Sequence, residues 1–220
     1  AQQCAIADEL FERLKPDTYY LIGPGSTTRT LMDELGLPVT LIGVDLSCYK
    51  KIVQSDLSEA DILKRLDEKP THLIVTPTGG QGYLLGRGNQ QLSAKVLRRI
   101  GKEHLHVLAT KEKLFHLRGR ALLVDTGDEE VDKMLCGYVR VIVDYPEEQM
   151  CRIGTESDAK TEKGSGAERN ALHRSFLSPQ KSALRVKFLL DGGAGVYYNR
   201  EKYRRRALRP PQDSERGTAI

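Results

Sequence analysis

The sequence predicts an α/β fold: a mainly parallel sheet with alternating helices, followed by a basic tail. Three observations predict it. Strand-sized apolar runs alternate with helix-patterned runs over about the first 150 residues. Glycine-rich segments follow two of the strand-like runs, as ligand loops do in such folds. Composition and charge change together near Ile153, where the alternation stops.

The elements follow in order. The opening AQQCAIADELFERLK is amphipathic, with Ile6, Leu10 and Leu14 on one side of a helix. It lacks the charged–apolar–small order of a signal peptide, and no initiator Met precedes it, which reads as truncation or processing. Tyr19 to Gly23 is a strand, Thr27 to Leu35 a helix closed by Gly36, and Val39 to Leu46 a strand apolar almost throughout. Ser58 to Leu66 is a helix with Asp61 three residues after a capping Ser58. Thr71 to Thr76 is a strand. After a long glycine-rich loop come the helix Ser93 to Ile100, the strand His104 to Ala109 and the helix Lys111 to Leu117. Ala121 to Asp125 is a strand, and Asp128 to Leu135 is a helix with acidic residues in its first turn, where the dipole favours them. Tyr138 to Asp144 and Gln149 to Ile153 are two strands joined at Pro146.

Residues 1–153 therefore read as one nucleotide- or phosphate-binding domain, and 154–220 as a linker and basic tail. The first part holds 20 Lys+Arg against 22 Asp+Glu, and the second 14 against 8. The positive net charge belongs to the tail, so nucleic-acid binding by the main domain has no electrostatic support. Two short elements, Leu184 to Leu190 and Val196 to Tyr203, suggest a hairpin, and Arg204–Arg205–Arg206 reads as a solvated cluster. No apolar run reaches the roughly 18 residues of a membrane span. Cys4, Cys48, Cys136 and Cys151 form no C-x-x-C pair, and the histidines form no H-E-x-x-H motif. Isolated thiols of a reducing cytoplasm are the expectation, with no protein-built metal site.

Two loops carry the chemistry. In YYLIG-PGSTT-RTLMDELG a strand runs into a helix through Gly23, Gly25, Ser26, Thr27 and Thr28. A helix N-terminus exposes unpaired N–H groups and partial positive charge, glycines let the backbone approach a ligand, and hydroxyls add donors. The arrangement suits phosphate. No Lys follows, so it is not a Walker loop, and Thr28 stands where a dinucleotide fingerprint has its third glycine. Asp45 lies 20 residues after Gly25, placed to bond a ribose. The second loop, Thr76 to Gln91, holds Gly79, Gly80, Gly82, Gly86 and Gly88, with Gln81, Arg87, Asn89 and Gln90 as hydrogen-bonding groups. Loops of that length in compact domains are usually functional or disordered. Arg87 can present its fork to a phosphate. Asp125, at a third strand end, is a weaker candidate, where Thr126 and Asp128 serve equally well as helix caps.

The runs GPGSTTRTLMDELGLPVTLIGVDL, IVTPTGGQGYLLGRGNQQLS and ALLVDTGDEEVDKMLCGYVRVIV resemble the ATP-NAD kinase family, in the branch of the acetoin-catabolism X proteins. The resemblance covers about Gln3 to Ile153. It implies phosphoryl transfer from ATP or polyphosphate to NAD or a related hydroxyl acceptor, with Mg2+. The family's GGDGT motif, whose aspartate is the expected base, does not occur here, and the GGQG at Gly79 to Gly82 offers no carboxylate. The chain thus resembles the C-terminal portion of such a kinase. The expected setting is a cytoplasmic homo-oligomer that binds a nucleotide or phosphorylated small molecule and makes no membrane contact; nucleic-acid contact by the tail is the lesser alternative to a solvated tail. A sugar-phosphate-binding or isomerase-like module and a non-catalytic nucleotide-binding protein are the alternatives.

Overall fold

The computed structural model describes residues 2–158 apart from positions 35, 50, 79, 81, 87 and 88. The linker expected from 154 lies outside the described residues from position 159 on, as do the expected hairpin and the arginine cluster. The chain order is α1 (Gln2–Arg13), β1 (Tyr19–Ile22), α2 (Ser26–Glu34), β2 (Asp45–Cys48), β3 (Lys51–Gln54), α3 (Glu59–Arg65), β4 (Thr71–Val75), β5 (Tyr83–Leu85), α4 (Ala94–Ile100), β6 (Leu105–Leu108), α5 (Lys111–His116), β7 (Leu122–Val124), α6 (Glu129–Leu135), β8 (Gly137–Asp144) and β9 (Glu147–Gly154). No helix among the described residues is long and apolar enough to cross a membrane.

The strands form one sheet in the order β3-β2-β1-β4-β6-β8-β9-β7-β5. The central strands β1, β4, β6 and β8 are mutually parallel. The β8–β9 hairpin reverses direction through Tyr145–Pro146, and β7 and β5 then run parallel to β9. The parallel core and alternating helices are as the sequence predicts.

Local chemistry sets the helix ends. Ser58 and Asp61 form a reciprocal capping box at the start of α3. Ser93 caps α4, Thr110 caps α5, and Asp128 caps α6 by accepting from the Glu130 and Val131 amides.

Two stretches differ from expectation. The strand expected over Val39 to Leu46 starts only at Asp45 and pairs antiparallel to β1, with Ile22 opposite Asp45. Before it the chain is looped. One carboxylate oxygen of Asp45 accepts from the Thr40 amide at 2.6 Å and the Thr40 hydroxyl at 3.0 Å, and the other accepts from the Asp56 amide at 2.9 Å. These bonds compete with a strand ladder. The apolar run misleads because Leu41 and Ile42 are solvent-facing, 57% and 81% exposed. The second difference is β5, a short strand inside the glycine-rich loop that carries the chain to the far end of the sheet.

Apolar side chains fill both faces of the sheet. One face packs Leu21, Leu46, Leu73 and Val107 against α3, α4 and α6 through Ile62, Val96 and Val131. On the other, α1 and α2 lay Ile6, Leu10 and Leu31 over Ile22, Ile74, Leu108 and Ile142. The amphipathic stripe read in the opening residues is thus the seam that docks α1.

Beyond the reach of these helices that second face turns polar. Tyr20, His72 and His106 succeed one another across β1, β4 and β6, and His72 Nδ1 lies 2.8 Å from His106 Nε2. An N–H···N bond needs one neutral acceptor ring. Burial, then the charges of His72, Arg13, His104 and Lys15, push the His106 imidazole down from 6.5 to about 4. The unfolded chain takes up this proton as pH falls through 6.5, and the folded chain only near 4. Stability is therefore full above pH 6.5 and declines between 6.5 and 4. The expected loss is on the order of 3 kcal/mol. Urea midpoints measured across that window should fall in the parent protein and stay flatter in His106→Gln; parallel curves would contradict the assignment.

Candidate functional site

Parallel strands expose their carboxyl ends to ligands, and here β1, β4 and β6 place three loops side by side. The first loop is Gly23 to Thr28. Gly25 has φ +150°, and a Cβ there would stand 2.5 Å from Thr76 Cγ2. Glycine is required because the loop is pressed onto the end of β4. The three hydroxyls divide their work. The buried Thr28 hydroxyl bonds the Gly23 and Gly25 carbonyls at 3.0 and 2.9 Å and so closes the loop. Ser26 is exposed at the start of α2. Thr27 is buried and points to neither solvent nor backbone but to a lysine.

That lysine is Lys113. Thr110 ends the β6 connection and accepts from the Lys113 amide, which starts α5 and aims its side chain across the neighbouring strand ends. Lys113 Nζ donates to Thr27 Oγ1 at 3.2 Å and to Thr76 Oγ1 at 3.1 Å. It is half-buried, and burial pushes its pKa down. No carboxylate among the described residues pairs with it. A desolvated ammonium held by two neutral hydroxyls, beside the amino end of α2, lacks an anion. A phosphate oxygen supplies one.

The second loop meets the first at both of its ends. Thr76 packs on Gly25, and Leu92 lies against Gly23. Gly80 is exposed, with open space where a Cβ would stand, while Gly82 packs on Leu117 just beyond α5. Between them and Leu92 the chain leaves as β5. Because β5 and β7 run opposite to β1, Gly86 and Asp125 follow strands that end at the other end of the sheet. Asn89 is used locally, its side chain accepting from the Leu92 amide, and Gln90 is exposed. Thr126 bonds Asp132, and Asp128 caps α6, so the capping role is the one seen at this third strand end. Asp45 is 1% exposed, and its carboxylate oxygens are engaged by Thr40 and Asp56, which gives it a loop-tethering role. Gly79, Gln81 and Arg87 lie outside the described residues.

The strand-end donors are hydroxyls, amides and one ammonium, a set unlike the oxygen anions that hold Mg2+. Among the described residues no group of three or more His, Cys, Asp or Glu side chains is placed to hold a metal. The site as described does not fit the implied Mg2+.

Residues 16–153 match the ATP-NAD kinase C-terminal domain. The chain belongs to the ATP-NAD kinase family. No curated protein and no solved structure matches it. The matched part of this ATP-NAD kinase family chain begins before β1 and ends within β9. It therefore contains all of the sheet but Gly154 and all three strand-end loops, and leaves α1 outside. Sequence reasoning found the GPGSTT turn of this family domain and missed its cation. Lys113 sits in no motif, and a Lys three residues after a capping Thr is ordinary at a helix start. Only the strand order, which puts β6 beside β4 and β4 beside β1, brings it to the loop.

Proposed function

We propose that the strand-end site holds a phosphate-bearing substrate for an NAD kinase-like phosphotransferase. The observation that carries this is Lys113, an ammonium without a carboxylate partner among the described residues, bonded to Thr27 and Thr76 at the amino end of α2. The donor is ATP or polyphosphate and the acceptor a hydroxyl of NAD or a relative, as the family and the GPGSTT turn support together. The TPTGGQGYLLGRGNQQ run supports the acetoin-catabolism branch, and four free cysteines suit a cytoplasmic setting.

In the transfer, the acceptor oxygen forms a bond to phosphorus as the bond to the leaving phosphate oxygen breaks, and the hydroxyl proton passes to a base. Lys113, the exposed Ser26 and the α2 amides are suited to the charge on the phosphoryl oxygens. They supply no base: a protonated lysine cannot accept the proton, and Asp45 is engaged elsewhere. The base belongs to a GGDGT-bearing segment, which this sequence does not contain.

The test is NAD phosphorylation with ATP or polyphosphate and Mg2+, with this chain alone and with an added GGDGT-bearing segment. Turnover is expected only in the second case. Robust turnover by this chain alone would overturn the division of labour. Binding of a sugar phosphate but of neither ATP nor NAD would overturn the kinase assignment.

A further inference from the structure

On the second face of the sheet, α1 stops at Arg13 and leaves the amino-terminal halves of β6 and β8 uncovered. A cavity of about 500 Å³ lies there. Arg13, Lys102, His106 and Arg140 line it together with Glu103 and Glu148, over Ile142 and the strands β6 and β8. It belongs to the end of the sheet opposite the GPGSTT loop, since the halves it exposes are the beginnings of strands whose carboxyl ends form the strand-end site.

The cations here are poorly matched by anions. Lys102 Nζ donates to the Cys136 carbonyl, and no carboxylate among the described residues pairs with it. Arg140 is 73% exposed, and its contact to Glu148 spans 3.6 Å. Glu148 is already engaged by Arg13, which Glu9 holds as well. Glu103 turns to His104, 3.6 Å away. Arg13 is thus fully engaged by Glu9 and Glu148, while Lys102 and Arg140 keep at most one long carboxylate contact between them. Tyr138, 60% exposed, places an uncovered ring two residues from Arg140 on the same strand. The open Arg140 fork and the Lys102 ammonium suit a phosphate, an exposed ring suits a flat body, and the volume is that of a small-molecule site.

We propose that this cavity is a second ligand site, for a phosphomonoester of nucleoside-monophosphate size, held by Arg140 and Lys102 with its flat body against Tyr138. The site is also proton-linked. His106 lines the cavity, and its Nε2 is turned to His72. The groups facing it are His72 from β4, Tyr20 from β1, His104, Lys102 and Glu103 from the turn before β6, Arg140 from β8, Glu148 from β9, and Arg13 and Lys15 from the end of α1. Most are cationic or neutral and oppose a proton on the ring. A bound phosphate offsets that balance and favours the proton, so the ligand raises the pH at which His106 becomes charged.

The test is titration of the full chain with AMP, read by calorimetry and by the His106 ring resonance. AMP should shift that resonance and raise the apparent His106 pKa by about one unit. Lys102→Ala/Arg140→Ala should bind at least tenfold more weakly. Arg140→Glu, a change at an exposed position that leaves the fold intact, should do the same. Lys113→Met should leave the His106 response unchanged, which keeps this site separate from the phosphotransfer site. A His106 resonance unmoved by millimolar AMP, undiminished affinity in Arg140→Glu, or loss of the His106 response in Lys113→Met would each overturn the proposal.

Discussion

Gly86→Ala should cost about 3–5 kcal/mol of stability, a large part of what a domain of this size possesses. Gly86 has φ +104°, a region side chains rarely enter. A Cβ there would stand 1.9 Å from the Asp125 carbonyl oxygen and 2.3 Å from its carbon. Those atoms are backbone and cannot rotate away. Relief requires β5 to part from β7, which breaks the bond from the Asp125 amide to the Leu85 carbonyl. It also loosens Tyr83, Leu84 and Leu85, all buried. Gly80→Ala, in open space in the same loop, is the control and should change little. Urea denaturation of the two variants checks this; a Gly86→Ala midpoint equal to that of the parent would contradict the close approach.

Much of this fold is legible in the sequence because local chemistry and tertiary packing agree. Ser58 with Asp61, Ser93 before α4 and Asp128 before α6 announce helix starts, and each serves as the cap it resembles. Ile6 and Leu10 announce a buried seam and form one. The misreadings come where a local signal has two physical causes. The apolar run before Asp45 looks like a covered strand, yet a buried carboxylate collects the loop's donors and leaves Leu41 and Ile42 in water. The glycine-rich loop reads as one ligand loop, yet its middle pairs as an edge strand, so Asp125 and Gly86 part company with Thr76. At the site, the GPGSTT turn is visible because glycines and hydroxyls are adjacent in sequence. Its cation is invisible because 86 positions separate Lys113 from Thr27.

The second large effect is expected at Lys113. Removing its ammonium takes away the charge that the strand-end site presents to a phosphate, and charge-assisted hydrogen bonds are worth about 1.5–3 kcal/mol. Lys113→Met keeps the packed stem and should therefore keep the fold. Binding of a phosphate should hold the proton on Lys113 against the effect of burial. Affinity is then steady at neutral pH and falls on the alkaline side, earlier than for an ordinary lysine, because burial lowers this pKa. In Lys113→Met that alkaline loss should disappear along with the affinity.

Calorimetric titration of ATP and of NAD into the parent chain and into Lys113→Met, at matched melting temperature, tests the site most directly. The parent should bind at least one of the two, and Lys113→Met should bind it about 10- to 100-fold more weakly. Equal affinity in the two proteins, or a parent chain that binds neither nucleotide, would contradict the assignment of this strand-end site to a phosphorylated substrate.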